Sequence, residues 1–189
     1  MSAGTQTWIA LLRGVNLGKR RLMMSDLTAL FEALGFAGAK TLLQSGNVVF
    51  RSAEKSAAKL EKLLALETEK RLALKTTYLL RSAAEWAAIV AANPFPREAA
   101  ADPGRFVLLA LQTSPSAAQV AALAKANPGR ERMQAIGREL YAYYPDGQAD
   151  SKLTAVLIDR HLGGVATGRN WNTVLKIARL AGVAAEPAG

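Results

Sequence analysis

Two groups of polar and basic residues have the types and spacing of an anion-binding site. In the first group, Arg13 and Asn16 follow a short apolar run, and Ser45 and Asn47 flank Gly46 in a predicted turn. A guanidinium, a hydroxyl and two amides beside a glycine, whose backbone a ligand can approach closely, suit a phosphate group. Arg13, Asn16, Ser45 and Asn47 are named the first cluster.

The second group lies further along the chain. Ser151 and Lys152 precede a predicted helix, and Arg169, Asn170 and Asn172 surround the start of the last one. Free backbone N–H groups and the helix dipole favour an anion at a helix N-terminus, and Arg169 can bind phosphate or carboxylate bidentately. A purely structural use is the alternative, because Ser151 and Asn170 are also good helix caps. These five residues are named the second cluster.

The elements that position both clusters follow one order twice. In each half, apolar runs and helical stripes alternate as strand, helix, strand, strand, helix, strand, the last strand being short and near Val165. This order is the split βαβ, ferredoxin-like unit. We predict an α+β protein of two ferredoxin-like halves packed together in one compact chain. The predicted divisions are residues 1–92 and 105–183 for the halves, 93–104 for a linker and 184–189 for a disordered tail.

This topology predicts which polar segments meet. Strands 1 and 3 of a ferredoxin-like sheet are antiparallel neighbours, so strand 1 ends where strand 3 begins. Arg13 should therefore lie beside Ser45 and Asn47. In the second half, the second helix begins where the fourth strand ends, which should bring Lys152 close to Arg169. Whether the two clusters form one site stays open.

Several polar residues are predicted to cap helices. Ser82 and Glu85 have the spacing of a capping box. Ser25-Asp26 and Ser114-Pro115 are predicted to start two other helices, and Asp150 or Ser151 a third. Each cap determines where a helix begins and therefore where its free N–H groups lie.

Groups for acid–base, thiol or metal chemistry are few. The chain has one histidine, His161, and no cysteine, which excludes disulfides, thiol nucleophiles and multi-histidine metal cages. His161 ends a predicted helix, where histidine commonly interacts with the last carbonyls. We assign no catalytic residue, no metal and no cofactor, and whether the chain is an enzyme stays open. Any catalysis would depend on positioning and electrostatic stabilisation of a phosphoryl or acyl group.

The composition favours a polyanionic partner. Of the 189 residues, 50% are hydrophobic and 21% charged, and 24 Lys and Arg against 15 Asp and Glu give a formal charge of +9. This balance favours a phosphate-bearing small molecule or nucleic acid. We find neither a signal peptide nor an apolar run long enough to span a membrane, and predict a cytoplasmic location and no membrane partner. The oligomeric state stays open.

Two tyrosines could serve nucleic-acid binding. Tyr141 and Tyr143 fall on the same face of a predicted strand. An exposed aromatic pair on a ferredoxin-like sheet can stack on bases, as in RNA-recognition modules. The alternative is that this face of the sheet is covered.

At these same motifs, the chain resembles a bacterial family, the domain-of-unknown-function 1697 family. The resemblance implies a bacterial cytosolic α+β protein with two ferredoxin-like halves, and it implies no established activity. Relatives usually have a further glycine after Gly18, where this chain has Lys19, so its loop is more basic. The motifs that carry the resemblance are Leu11–Gly18, Met24–Leu27, Leu34–Phe36, Gln44–Phe50, Leu140-Tyr141, Tyr144–Gly147, Ser151–Leu153 and Thr167–Thr173.

These observations lead to one hypothesis and two alternatives. The leading hypothesis is binding of a phosphate-containing ligand, such as a nucleotide, at the two clusters. The first alternative is a non-specific RNA or single-strand nucleic-acid binder driven by positive charge, whose affinity should fall with salt. The second is a protein-interaction module that uses a sheet edge or a homodimer contact.

Overall fold

The chain divides into two units by its internal contacts. The computed structural model describes residues 4–15, 22–36 and 38–184. The first unit comprises the chain up to Ala88 together with a stretch that begins at Ile177, and the second comprises Ile89–Lys176. Residues 93–104, predicted to be a linker, lie within the second unit and contain a short helix, Pro96–Ala101.

The first unit has the predicted ferredoxin-like order. Its four strands form one antiparallel sheet in the spatial order β2-β3-β1-β4. A further helix, α3, follows the fourth strand directly. The elements are β1 (Gln6–Leu12), α1 (Met24–Ala33), β2 (Lys40–Leu42), β3 (Asn47–Ser52), α2 (Ala57–Leu72), β4 (Tyr78–Ser82) and α3 (Ala83–Ala91).

One face of this sheet packs against α1 and α2. Alternate residues of the strands join leucines of both helices in a single core, as the period of two in a strand dictates. An aromatic cluster lies within it, where the ring of Phe50 is 5.0 Å from that of Phe31 and 4.9 Å from that of Phe36. Helix α2 also covers the edge strand β4, whose Leu80 N–H donates to Glu61 Oε1 at 2.8 Å. This bond satisfies a backbone donor that an edge strand otherwise leaves unpaired.

The second half of the chain repeats the order. Its sheet has the spatial order β6-β7-β5-β8, again antiparallel throughout. Both halves of the chain are therefore ferredoxin-like, as predicted. The elements are α4 (Pro96–Ala101), β5 (Phe106–Leu111), α5 (Ala117–Ala126), β6 (Arg132–Ile136), β7 (Glu139–Tyr143), α6 (Ala155–Leu162), β8 (Ala166–Asn170) and α7 (Trp171–Leu180).

A ring cluster buries the predicted aromatic face of the second sheet. Phe106 lies 5.1 Å from Trp171 and 6.4 Å from Tyr141, measured between ring centroids. Tyr141 is 1% exposed, and its hydroxyl donates to the carbonyl of Ile89 at 2.8 Å. Burial raises the pKa of this hydroxyl, with a contribution from the charge of Glu139. Tyr141 is therefore unavailable to stack on a base, so the face is covered at this residue, whereas Tyr143 is partly exposed.

Two helices begin at residues other than those predicted. Helix α1 follows Met23, which makes no side-chain capping bond, so the predicted start at Ser25-Asp26 is wrong. Helix α6 is capped by Thr154, whose Oγ1 accepts from Leu157 N at 3.2 Å, in place of Asp150 or Ser151. Ser151 Oγ is instead used in a turn, where it accepts from the N–H of Leu153 at 3.0 Å.

Capping boxes start two further helices. The predicted box at α3 is confirmed, since Ser82 N donates to Glu85 Oε2 at 2.7 Å and Glu85 N donates to Ser82 Oγ at 3.1 Å. At α5 the cap is Ser116, which exchanges the same pair of bonds with Gln119, and the predicted cap Ser114 is wrong. A box satisfies two free N–H groups where a single cap satisfies one, which explains why the helix begins at Ser116.

We expect Ser116→Ala to lower the free energy of unfolding by about 1 kcal/mol, because the variant leaves a helix N–H without its acceptor. Ser114→Ala is the matched control and should change stability by less than about 0.5 kcal/mol. Urea denaturation of both variants measures the difference. Equal losses would show that α5 starts elsewhere.

The two halves have an equivalent arginine at the end of their fourth strands. The fourth strand of each half has a buried arginine as its penultimate residue: Arg81 in β4, 1% exposed, and Arg169 in β8, 6% exposed. In each, Nη1 donates at 2.8 Å to the carbonyl of the preceding residue, Leu80 or Gly168. A helix follows each strand at once. The sequence order alone reveals the repeat of elements and misses this equivalence.

Candidate functional site

Three separate segments meet at the first cluster. The end of β1 is bonded on one side to the turn before β3, with Leu12 N donating to the Gly46 carbonyl at 2.9 Å. On its other side, Arg13 N donates to the Thr77 carbonyl at 3.0 Å, and Thr76 Oγ1 donates to the Arg13 carbonyl at 2.8 Å. The structure therefore places Arg13 beside the turn that contains Ser45 and Asn47, as the topology predicts.

Asn47 shapes this turn from inside. It is 1% exposed, and its Nδ2 donates to the Leu42 carbonyl at 2.7 Å and to Ser45 Oγ at 3.0 Å. The bonds close the turn between β2 and β3, while Ser45 and the neighbouring Gln44 lie at the surface. Asn47 thus positions Ser45, which presents an exposed hydroxyl on the turn beside the exposed Gln44.

Leu43 has an unusual conformation at the same turn. Its φ is +59°, in the left-handed region that costs a residue with a Cβ about 1–2 kcal/mol, and its side chain is 46% exposed. Strained backbone tends to persist where the surroundings fix it, and functional sites are common among such places. Because the side chain of Leu43 is exposed, the turn presents an apolar group next to the polar groups of the first cluster.

The remaining predicted residue of the first cluster, Asn16, lies outside the described residues. Two residues that sequence reasoning missed take part in the convergence: Lys75 and Thr76, which precede Thr77 and the start of β4 at Tyr78. The sheet order gives the signal that could have found them, because β4 pairs with β1 and begins where β1 ends. Lys75 is exposed, and Arg13 is partly buried.

In the second cluster, Ser151 is hydrogen-bonded to a residue at the sheet edge opposite to β8, the strand that contains Arg169. Its hydroxyl donates to Glu131 Oε1, directly before β6, and β6 and β8 form opposite edges of the sheet. Burial opposes ionisation of Glu131, but hydrogen bonds from Ser151 and Asn127 prevail and hold the pKa of its carboxyl below the usual value. Lys152 is exposed.

Arg169 is an interior residue of a strand. The predicted strand near Val165 is β8 itself, and Arg169 pairs with Leu108 of β5. Its guanidinium Nη1 donates to Thr167 Oγ1 at 2.9 Å and to the Gly168 carbonyl at 2.8 Å. Burial lowers the pKa of Arg169 to about 10. These contacts are the marks of a structural arginine.

The free backbone N–H groups at the start of α7 are largely hydrogen-bonded to other groups of the protein. Asn170 Oδ1 accepts from the N–H and the hydroxyl of Thr173, at 3.0 and 2.9 Å, and Trp171 N donates to the Pro103 carbonyl at 3.1 Å. Asn172 is exposed on the first turn. Two of the free N–H groups that would attract an anion therefore already have acceptors.

Comparison with known proteins places this fold in a family. A model described as "Protein of unknown function (DUF1697)" matches residues 5–141, which include all of the first cluster and most of both sheets. The chain belongs to the DUF1697 family. The match confirms the resemblance seen in the sequence motifs.

A solved structure shares the DUF1697 fold seen here. The conserved bacterial protein SP0830 from Streptococcus pneumoniae is similar with a TM-score of 0.73 and 21% sequence identity, and the match covers 94% of this chain and 99% of that one. At this identity the likeness shows the fold. No curated protein matches the chain significantly.

Among the residues that the structure describes, no group of three or more His, Asp or Glu side chains is placed to hold a metal ion. His161 lies in the last turn of α6, as predicted. Over the same residues, no helix combines the length and the apolar character needed to cross a bilayer. Among the described residues, the segments that contain Arg13 and Ser45 lie beside the segment that contains Lys75 and Thr76.

Proposed function

We propose that this chain binds a phosphate-bearing small molecule, such as a nucleotide, at the first cluster. The observation that carries the proposal is the meeting of three segments at one end of the first sheet. They bring together Arg13, Ser45 and the added pair Lys75 and Thr76. Two cations and the exposed Ser45 hydroxyl in one place are groups that recognise a phosphate.

The local charge supports an anion. Residues 11–15, 43–47 and 74–78 contain no Asp or Glu, so the segments that converge carry positive charge alone. The exposed Leu43 beside them offers an apolar contact. A phosphate joined to an apolar or planar body, as in a nucleotide, matches both features better than inorganic phosphate does.

Ligand contact by the second cluster stays a prediction. Ser151, Arg169 and Asn170 each use their side chains in bonds to protein groups. The exposed Lys152 and Asn172 are the members open to a ligand. The proposal therefore rests on the first cluster.

The test is a thermal-shift screen of nucleotides, sugar phosphates and short RNA at low and moderate salt, followed by calorimetric titration of the best ligand. A ligand at a hundred times its Kd stabilises the folded protein by about 2.7 kcal/mol, which raises Tm by several degrees. Arg13→Ala and Lys75→Ala should each weaken the binding of that ligand about tenfold, through loss of a charge-assisted bond.

Lys62→Ala is the matched control, because it removes an exposed charge from α2. It should leave the affinity within about twofold of the parent value, as expected for an exposed charge outside the binding site. Equal weakening by all three substitutions would reject the site. A thermal shift seen with RNA alone and lost at moderate salt would replace the proposal with charge-driven nucleic-acid binding.

A further inference from the structure

A cleft of about 570 Å³ opens at the other end of the first sheet. The first cluster lies where β1 ends and β3 begins, whereas this cleft lies where β1 begins and β3 ends. Its lining includes Thr5, Phe36, Gly38, Arg51 and Ser52. The volume is in the range of pockets that hold small organic ligands.

The cleft exists because β3 is longer than β2. The last pair between these strands joins Lys40 to Val49, so β3 continues beyond its neighbour to Ser52. The loop that follows α1 borders the space with two glycines, Gly35 and Gly38, at φ +81° and +72°. No atom lies within 4 Å of the position that a Cβ would occupy on either residue. A ligand can therefore approach this backbone closely.

One wall of the cleft is aromatic. Phe36 is 8% exposed, and its ring packs 4.9 Å from that of Phe50 and 5.9 Å from that of Phe31. The rest of the ring cluster holds Phe36 in place. Phe36 lines the cleft with the small part of its side chain that the ring cluster leaves exposed, and that part is apolar.

The charge of the cleft comes from Arg51. Its Nη2 donates to Thr5 Oγ1 at 2.9 Å, which orients the guanidinium, and within the described ranges Arg51 forms no ion pair. None of the described residues that line the cleft is acidic. A second cation, Lys55, is held nearby through its Nζ, which donates to the Gly4 carbonyl at 2.7 Å.

We infer that this cleft binds a small aromatic carboxylate. The planar guanidinium of Arg51 matches a carboxylate in geometry as well as in charge, and the ring of Phe36 matches an aromatic body. Lys55 adds attraction for the anion. This site is separate from the first cluster, and neither proposal depends on the other.

The test is a titration of ¹⁵N-labelled full-length protein with 1-naphthoate, and with the neutral 1-naphthamide as the matched probe. Naphthoate should shift the amide signals of Gly35 and Gly38 saturably, and those of Gly14 and Gly46, which adjoin residues of the first cluster, should stay in place. Naphthamide should bind at least about tenfold more weakly, because it cannot form the charge-assisted pair.

The variant Arg51→Gln should weaken naphthoate binding about tenfold. Arg97→Gln removes the same charge from α4 in the second unit and should leave that affinity unchanged. Arg51 is exposed, so its variant is expected to keep the dispersed spectrum of the folded protein. Equal affinity for the acid and the amide, an unaltered affinity in Arg51→Gln, or shifts confined to Gly14 and Gly46 would each overturn the inference.

Discussion

Gly46→Ala is expected to lower the free energy of unfolding by about 3 kcal/mol. The residue has a φ of +72°, and a Cβ there would lie 2.7 Å from Val15 Cγ2 and 2.9 Å from Leu12 Cβ. The left-handed conformation costs about 1–2 kcal/mol, and overpacking adds about 1–3 kcal/mol. The Cβ of Leu12 is fixed to the backbone of β1 and cannot rotate away. Urea denaturation at constant m-value measures the loss.

Gly14→Ala is the matched control for this prediction. Gly14 has a similar φ of +66°, but no atom lies within 4 Å of the position that its added methyl group would take, so the variant carries the conformational cost alone. We expect a loss of about 1 kcal/mol. If the two variants lose the same stability, the close approach between the turn and β1 is absent in solution.

This close approach is also what assembles the first cluster. The Gly46 carbonyl accepts the bond from Leu12 N, and the adjacent Asn47 closes the turn on Ser45. A side chain at position 46 would push the turn away from Arg13. Gly46→Ala should therefore weaken the binding of a phosphate ligand together with stability, although position 46 has no side chain to contact the ligand.

Much of the fold follows from patterns along the chain. The continuous apolar run Phe106–Leu111 coincides with β5, because a fully buried strand leaves a continuous apolar signal. The capping box at Ser82 and the hairpin turn at Gly137, with its φ of +59°, are equally local. The convergence of Arg13 with Ser45 then follows from strand order alone.

Other features depend on contacts that a local pattern does not contain. The residues Gly168, Arg169 and Asn170 are poor strand formers, so a prediction from strand propensity ends the last strand before them. In the structure they belong to β8, because they pair with β5. Ser114 and Ser116 have similar capping propensity. Ser116 is the cap because Gln119, three residues later, completes a capping box with it. In the candidate site, the place of Lys75 depends on the pairing of β4 with β1, and no motif around Lys75 itself indicates it.

Arg169→Ala is expected to lower the free energy of unfolding by about 3 kcal/mol. The variant leaves the Thr167 hydroxyl and the Gly168 carbonyl without their charged donor, and it removes a buried side chain from β8. Hydrogen bonds to charged groups contribute about 1.5–3 kcal/mol each. Release of a charge that is costly to bury offsets part of that loss, consistent with the lowered pKa of Arg169.

Lys152→Ala distinguishes a structural role of the second cluster from a role in ligand binding. Lys152 is exposed, so its variant should unfold within about 0.5 kcal/mol of the parent protein. If Lys152→Ala keeps the affinity for a phosphate ligand while Arg169→Ala loses only stability, the second cluster holds the fold of its unit. If Lys152→Ala instead weakens binding at unchanged stability, a phosphate must contact this end of the second sheet. The structural interpretation of Arg169 would then have to include a ligand.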